Sequence, residues 1–249
     1  MRPPPLKHRS AFGLIKLRHR QRDNTLVYEQ KGGNQSAADE TGISLDAHVH
    51  AIHDLTLQTR AKTVLLIGCA GGTLATMLSR SGRQVTAVDI DKVAFELARR
   101  YFSLPKDVMC IVGDGLAYME KTRRRFDVVI LDTFIGEKIP EHMRSDALFG
   151  TIRKCMRPGG AVFVNVCLDG RGDLTADKIA RGFKRHGFPA RLLDSPGPQR
   201  NAIVMAGNVQ KLLRPELRLP PRVDAKQIAK DLSRTRFRRL RRLKAPRKP

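Results

Sequence analysis

The sequence predicts a doubly wound α/β protein, in which helices cover both faces of a mostly parallel sheet. Two observations lead to this fold class. From residue 62 onward, short apolar segments suited to buried strands alternate with segments of helical spacing. A glycine-rich loop, residues 68–72, also lies directly between the first of these strands and the following helix. A small β appendage is expected before this sheet and a basic extension after it.

The first sixty residues predict the appendage. Residues 1–12 begin with a proline-rich stretch and carry only basic charges, so we expect a disordered tail. Residues 13–60 follow as the appendage and a first helix. They contain short strands predicted over 13–19 and 25–30, a turn at Gly32-Gly33 and helical spacing over 45–57.

The main domain is predicted to span residues 61–207. Its strands and helices alternate along the chain. The expected strands are 63–67, 84–88, 108–112, 126–131 and 160–166, and the expected helices are 73–80, 92–102, 116–121, 147–156 and 176–186. Two further strands, 190–194 and 202–206, are expected to close the sheet as a hairpin.

The positive charge is concentrated at the two ends of the chain. The formal net charge is +23, and residues 1–22 hold seven Lys or Arg and no acid. Residues 208–249 hold fifteen Lys or Arg against three acids, so the central part is close to charge balance. We expect residues 208–249 to be dispensable for the fold, although an apolar stripe could dock on the domain: Ile228, Leu232, Leu240 and Leu243. The basic tails predict at most weak, non-specific contact with nucleic acid.

Other features exclude several classes of protein. No apolar run approaches the ~20 residues of a membrane helix, and the start lacks the apolar segment of a secretory signal. A cytoplasmic protein is therefore expected, with organellar targeting as the alternative because the start lacks acids. The four cysteines form no CxxC pair, which argues against a metal knuckle or a disulfide scaffold. His48, His50 and His53 cannot share one helical face, so no metal site is expected.

The glycine loop and the acid after the next strand form one candidate site. Glycines allow a sharp turn and close approach of a ligand, and the following helix offers free N–H groups; a tight turn without a ligand is the alternative. Asp89 ends the next strand about twenty residues after the loop, where a carboxylate can accept the ribose hydroxyls of an adenosine. Asp91 is more simply explained as the N-cap of the helix that begins at Lys92.

Two further acids follow strands. Gly113-Asp114-Gly115 comes after the third strand, where a carboxylate can accept a hydrogen bond from an adenine amine and the glycines leave room for the ring. Asp132 ends an apolar strand at the carboxyl edge of the sheet, where doubly wound proteins carry out their chemistry. A loop cap is the alternative for Asp132. Asn165, after a buried strand, either borders the pocket or hydrogen-bonds the strand end.

These segments together resemble the spermidine synthase family, which has the Rossmann-like fold of class I S-adenosylmethionine-dependent methyltransferases. The resemblance is carried by residues 64–74, 85–105, 113–115, 126–134 and 157–160. The appendage, with Gly33, Gln35 and Asp39, also resembles the N-terminal hairpin region of that family, where a Gln contacts the nucleoside.

The resemblance implies a cytoplasmic transferase of polyamine biosynthesis, with residues 61–207 as a nucleoside-binding domain. Its substrate would be S-adenosylmethionine or decarboxylated S-adenosylmethionine, with a small amine as acceptor, and a homodimer is left open. The implied roles are nucleoside binding by Gln35, ribose binding by Asp89, adenine binding by Asp114 and Gly115, lining of the sulfonium end by Gly68, Gly71 and Gly72, and proton acceptance by Asp132.

Two departures from the family keep three functions open. The family has an aspartate within the glycine loop, where this chain has Cys69-Ala70. It has a second aspartate three positions after the catalytic one, where this chain has Ile135, and Glu137 could replace that second aspartate. Asp132-Thr133-Phe134 resembles a divergent bacterial branch. Aminopropyl transfer to a polyamine-type amine therefore competes with methyl transfer, and both compete with a non-enzymatic nucleic-acid-binding protein on the same fold.

Overall fold

The computed structural model describes residues 6–134, 140–170, 172–195 and 201–241. Two sheets form within these residues. A small antiparallel sheet of four strands comes first in the chain, and an eight-stranded, largely parallel sheet follows. The predicted fold class, a doubly wound sheet with a small β appendage, is confirmed.

The N-terminal sheet has two more strands than the sequence predicts. Its strands run antiparallel in chain order: β1 Leu6–Ser10, β2 Gly13–Arg20, β3 Thr25–Gln30 and β4 Gly33–Ala38. Ile15, Leu17 and Tyr28 are buried on one face and pack against Leu97 and Phe102 of the main domain. Since β1 lies within residues 1–12, the expectation of a wholly disordered tail is wrong for residues 6–12; residues 1–5 lie outside the described residues.

The large sheet begins with the predicted alternation. Its strands are β5 Thr63–Ile67, β6 Gln84–Asp89, β7 Met109–Val112, β8 Phe126–Leu131, β9 Met156–Cys167, β10 Ala190–Ser195, β11 Asn201–Gly207 and β12 Arg236–Arg238. They lie in the order β12-β10-β11-β9-β8-β5-β6-β7. The predicted hairpin of β10 and β11 is confirmed.

Seven α-helices are described, and they cover both faces of this sheet. They are α1 Ala47–Gln58, α2 Thr73–Arg80, α3 Lys92–Tyr101, α4 Gly115–Lys121, α5 Asp146–Cys155, α6 Thr175–Arg185 and α7 Ala225–Ser233. Alternate residues of the strands enter one or the other of two large apolar clusters. Residues 64, 66, 128 and 130 face the cluster that contains α1 and α2, and residues 65, 67, 129 and 131 face the cluster that contains α5 and α6.

The strand order places the chemistry at one position. From β5, the chain winds through β6 and β7 in one direction, whereas β8 and β9 lie on the other side of β5. The strand order therefore reverses between β5 and β8, and such switch points carry a crevice outside the carboxyl ends of the strands. The loop after β5 contains residues 68–72, and Asp132 directly follows β8.

The structure corrects the expected domain boundary at residue 207. Strand β12 pairs with β10 as the edge strand of the main sheet, and α7 packs on α1. Ile228 and Leu232 are buried in the main core, and Leu240 packs against the second cluster; Leu243 lies outside the described residues. The extension was misassigned because its composition is dominated by charge, although its few apolar residues are spaced to reach the core.

Arginines of this extension also bind carboxylates earlier in the chain, including the buried Asp54 and Asp177. Arg238 donates to both oxygens of Asp177, at 2.8 and 2.9 Å, and to Asp194 at 2.8 Å. Arg218 donates to the buried Asp54 of α1 at 2.8 Å. Burial tends to raise the pKa of Asp177, but the hydrogen bonds from Arg238 and from the Arg241 backbone outweigh it and hold that pKa below its ordinary value. Part of the basic charge therefore holds the fold together.

Among the described residues, no helix has the length and apolar character needed to cross a bilayer. No group of three or more His, Cys, Asp or Glu in these residues is placed to hold a metal ion. All four cysteines are free thiols; Cys69 and Cys155 are buried, whereas Cys110 and Cys167 are partly exposed.

Candidate active site

Two cavities meet at the carboxyl edge of the large sheet. The outer cavity, with an empty volume of about 980 Å³ including its open mouth, lies over β5, β6 and β7. The inner cavity, about 880 Å³ on the same measure, lies between α1 and the ends of β8, β9 and β11. Both cavities share six lining residues: Gln35, Gly68, Cys69, Ala70, Asp132 and Phe134. Asp132 therefore faces both spaces.

The loop after β5 separates the two cavities and needs unusual backbone conformations. Gly68 has φ +93°, and a Cβ there would lie 2.2 Å from the backbone oxygen of Asp132. Ala70 also has a positive φ of 47°, which is uncommon for a residue with a side chain. The turn therefore brings the loop backbone against the segment that follows β8.

The three glycines of this loop that were expected to line the sulfonium end differ in whether they border a cavity. Gly68 lines both cavities, but Gly71 and Gly72 line neither. A Cβ at Gly71 would lie 2.9 Å from Ser36 Cβ, and one at Gly72 would lie 3.1 Å from Leu104. These two glycines allow close packing on the N-terminal sheet and beside α3, which the sequence pattern alone does not distinguish from ligand contact.

Asp89 ends β6 and holds the glycine loop. Its Oδ2 accepts hydrogen bonds from the backbone N–H of Cys69 at 2.7 Å and of Ala70 at 3.4 Å, and its Oδ1 accepts one from Asp91 at 2.9 Å. Burial raises the pKa of Asp89 above its ordinary value, and the three N–H bonds oppose that rise. Since a carboxylate oxygen has two lone pairs, Oδ1 keeps one for a ligand in the outer cavity.

Asp91 and Asp114 both cap helices, and both line the outer cavity. The predicted N-cap role of Asp91 is confirmed, because its side chain accepts from Val93 N–H at 3.0 Å. Asp114 caps α4 by accepting from Ala117 N–H at 2.8 Å, and its second oxygen lies 3.2 Å from His142 Nε2. Each Asp114 oxygen thus keeps a lone pair beside the cavity.

Gly115 opens α4 directly under the outer cavity and also lines it. A Cβ at this position would lie 2.2 Å from Ile67 Cγ2, so the glycine lets the start of α4 approach β5. Sequence reasoning missed Tyr28 and His142 in the wall of this cavity. Burial, with the carboxylates of Asp91 and Asp89, raises the pKa of Tyr28 far above its ordinary value, so its phenol stays protonated.

Asp132 is held in place by the neighbouring strand. Its Oδ1 accepts a hydrogen bond from Asn165 Nδ2 at 2.8 Å. Burial raises the pKa of Asp132, and the carboxylate of Asp46 adds to that rise. The neighbouring His48 and the hydrogen bond from Asn165 oppose it. A carboxylate with a raised pKa is a better proton acceptor near neutral pH than an ordinary one.

The inner cavity contains polar residues that sequence reasoning passed over. Asp46 and His48 face it from the start of α1, and Asn201 faces it from β11. His48 was considered only as a metal ligand, and the spacing of the three histidines gave no indication that it lines the inner cavity. Gln35 of β4 lies between the two cavities, as its predicted contact with a nucleoside requires. Glu137, suggested as a replacement carboxylate, lies outside the described residues.

The strand order and the cleft at the switch point define a Rossmann-like fold of the class I methyltransferase type. Residues 64–160 match the family model described as "Methyltransferase domain". The probable spermidine synthase of Corynebacterium glutamicum has a similar structure, with a TM-score of 0.75, 17% sequence identity, and coverage of 96% of this chain and 91% of that one. At this identity the likeness concerns the fold.

Curated relatives come from two groups of transferases. This chain is 31% identical over 134 residues to a probable polyamine aminopropyl transferase of Bifidobacterium longum, covering 51% of this chain and 30% of the relative. It is 34% identical over 123 residues to an eEF1A lysine and N-terminal methyltransferase homolog of Drosophila pseudoobscura pseudoobscura, covering 43% and 18%. The matched region thus spans less than a third of either relative. The resemblance to the spermidine synthase family, with the fold it implied, is confirmed.

Proposed function

We propose that this chain transfers an aminopropyl group from decarboxylated S-adenosylmethionine to a small amine. The charge of the inner cavity carries this proposal. Asp46 and Asp132 face that cavity together with one histidine, His48, and no Lys or Arg lines it among the described residues, although the chain contains 47. An aminopropyl ammonium and an amine acceptor are both cationic, and nearby carboxylates stabilise them. S-adenosylmethionine itself would bring a carboxylate into the same space.

The lining of the outer cavity supports a nucleoside as its occupant. Asp89 and Asp114 each keep lone pairs for ribose hydroxyls and for the adenine amine. Ile90 and Phe134 supply apolar surface for the ring. Thr133 lines the same cavity, and its hydroxyl is buried without a partner among the described residues. A buried hydroxyl without a partner is costly, so a hydrogen-bonding ligand is a natural partner for it.

The proposed chemistry requires little of the protein beyond alignment and a base. Asp132 takes one proton from the acceptor ammonium, and the freed lone pair on nitrogen forms a bond with the aminopropyl carbon attached to the sulfonium sulfur. The C–S bond breaks, its electrons stay on sulfur, and methylthioadenosine leaves. The product nitrogen is again an ammonium, so one proton in all has moved to Asp132. Its position between the two cavities supports this role, because the donor and the acceptor would meet beside it.

Product analysis with two donors tests the proposal. The chain is incubated with decarboxylated S-adenosylmethionine or with S-adenosylmethionine, each with a panel of diamines and monoamines, and the products are identified by mass spectrometry. We expect methylthioadenosine and an aminopropylated amine from the first donor only. Formation of S-adenosylhomocysteine with a methylated acceptor would contradict aminopropyl transfer.

Methyl transfer from S-adenosylmethionine is the second candidate, and the glycine loop favours it. The loop has Cys69-Ala70 where the spermidine synthase family has an aspartate, so it offers no carboxylate partner for an aminopropyl ammonium. Calorimetry with both donors separates the candidates, and Ala70→Asp is an informative variant because Asp tolerates a positive φ better than most residues. Under aminopropyl transfer, Ala70→Asp should bind the decarboxylated donor more tightly than the wild type does.

A further inference from the structure

Three polar residues end three neighbouring strands on the same face of the sheet. Asp132 follows β8, Asn165 lies near the end of β9, and Asn201 begins β11. Side chains alternate between the two faces of a strand, so each of these residues continues a row that is apolar farther from the cleft. The apolar neighbours two positions along these rows are Ile130, Phe163 and Ile203, all in the cluster that faces α1.

Hydrogen bonds join the three side chains in a defined direction. Asn201 Nδ2 donates to Asn165 Oδ1 at 2.8 Å, and Asn165 Nδ2 donates to Asp132 Oδ1 at 2.8 Å. A carboxylate can only accept, so Asn165 must turn its amide nitrogen toward Asp132. Its oxygen then faces Asn201, which must donate in turn. The charge on Asp132 therefore fixes the orientation of both amides.

Both asparagines are too buried to be ordinary surface residues. Asn165 is 2% exposed and Asn201 is 6% exposed. An apolar residue at either position would extend the neighbouring core rows without the cost of burying an amide. Buried amides are stable where each finds a partner, and here the pair finds them in each other and in Asp132.

We propose that Asn165 and Asn201 are positioning residues for Asp132, forming a two-amide relay that holds carboxylate oxygen Oδ1 and leaves Oδ2 to accept the proton of the reacting amine. This inference rests on the proposed function for the identity of that proton. The hydrogen-bonded geometry itself is independent of which group is transferred. Asn201 acts only through Asn165, because its amide donates to that residue and not to the carboxylate.

Other charged or titratable groups around Asp132 also influence its pKa, so a pH titration must take them into account. His48 and Asp46 face it from the start of α1, and the Cys69 thiol faces it from the glycine loop. None of these groups is altered by substitution of the two asparagines. A change in the titration of Asp132 can therefore be assigned to the relay.

The direct test is the carboxyl titration of Asp132, followed by NMR in protein labelled with ¹³C at aspartate carboxyls. The signal is identified by its loss in Asp132→Asn. We expect Asn165→Leu to raise the pKa of Asp132 by about one to two units, the shift expected from losing one hydrogen bond to a charged group. Asn201→Leu should raise it by a smaller amount. Asn208→Leu, at an exposed position just beyond the opposite end of β11, should leave it unchanged and serves as the matched control.

The wild-type protein offers a second measurement that needs no destabilising variant. The side-chain NH₂ signals of Asn165 and Asn201 should both shift with the midpoint of the Asp132 titration, and this shift should disappear in Asp132→Asn. The relay would be overturned if the chemical shift of the Asn201 NH₂ group did not follow the Asp132 titration, or if the pKa of Asp132 were unchanged in both leucine variants. Neither readout measures turnover. Absence of aminopropyl transfer would therefore contradict the proposed function but not the relay, which the two titrations test separately.

Discussion

Gly68 and Asp132 are in such close contact that no side chain fits between them. A Cβ at Gly68 would lie 2.2 Å from the Asp132 backbone oxygen and 2.8 Å from its carbonyl carbon. The first turn of the glycine loop and the proposed base are therefore positioned by each other. The spermidine synthase-like fold thus links the position of the loop between the two cavities to that of Asp132.

Gly68→Ala should consequently displace Asp132 and lower the transfer rate as well as the stability. The control is Gly82→Ala, because Gly82 also has a positive φ, +76°, but a Cβ there would meet nothing within 4 Å. Gly82→Ala should cost about 1–2 kcal/mol of unfolding free energy, the usual penalty of a left-handed residue. Gly68→Ala should cost more in denaturant titrations. Equal costs, with full turnover in Gly68→Ala, would show that the close contact is not maintained.

Asp132→Asn should separate binding from turnover. The variant keeps the shape of the side chain and removes the proton acceptor, so we expect a rate about 10²–10⁴-fold lower. Donor affinity, measured by calorimetry, should stay close to that of the wild type, as for an interaction that matters mainly in the transition state. Asp169→Asn makes the same chemical change at an exposed position and is the control. Full turnover in Asp132→Asn would reduce Asp132 to a structural role.

Asp89→Ala should weaken nucleoside binding by at least about tenfold, as expected from losing a charge-assisted hydrogen bond. The same change frees the backbone N–H groups of Cys69 and Ala70, so thermal unfolding must be measured alongside calorimetry. Asp107→Ala, an exposed carboxylate beside Ser79, serves as the control. Unchanged affinity in a folded Asp89→Ala protein would remove Asp89 from the binding site.

Arg238→Ala should destabilise the fold by about 3–5 kcal/mol, because it leaves Asp177 buried and charged without the two guanidinium hydrogen bonds of Arg238. The exposed neighbour Arg239 gives the control, Arg239→Ala. The pKa of Asp177 in the folded protein lies below its ordinary value of 3.8. The contribution of the ion pair to the unfolding free energy is therefore present above pH 3.8 and is lost as pH falls through the folded pKa. The stability gap between wild type and Arg238→Ala should therefore narrow in acid. A gap that is small or independent of pH would count against the ion pair.

His53 should make the fold sensitive to mild acid. Burial lowers its pKa from 6.5 to about 4, so the unfolded chain binds a proton between these values that the folded chain does not. The unfolding free energy should therefore fall as pH drops through this range, by at most about 1.4 kcal/mol per pH unit from this group. Denaturant titrations at several pH values should show a flatter dependence for His53→Gln. The exposed His19→Gln variant is the control, and an equally steep dependence in His53→Gln would contradict the assignment.

The parallel part of the fold was predictable because its signals are local. Buried strands such as β5 and β8 are largely apolar runs, and Asp89, Asp114 and Asp132 each lie at the carboxyl end of a strand, at the edge where ligands bind. Strand β1 was not predictable in the same way. It is an outer strand with mostly exposed, partly basic side chains, so it lacks the alternation that marks a half-buried strand.

Long-range partners explain the other differences. The arginine-rich segment near residue 238 has no local sign of order, because the carboxylates of Asp177 and Asp194 that bind Arg238 lie more than forty residues earlier in the chain. Gly71 resembles Gly68 in the sequence, yet only Gly68 borders the cavities. Asn201 could not be recognised because its role depends on the pairing of β11 with β9.

The position of β12 on the outer side of β10 has a consequence for protein synthesis. Translation completes β10 well before β12 emerges, so the nascent chain presents an open strand edge whose N–H and C=O groups can pair with another molecule. Such edges promote aggregation. Ribosomal pausing or a premature stop between these two strands should therefore yield chains that require chaperones or form aggregates. In completed chains the edge is β12, which is only three residues long and carries Arg236 and Arg238, two features that discourage edge pairing.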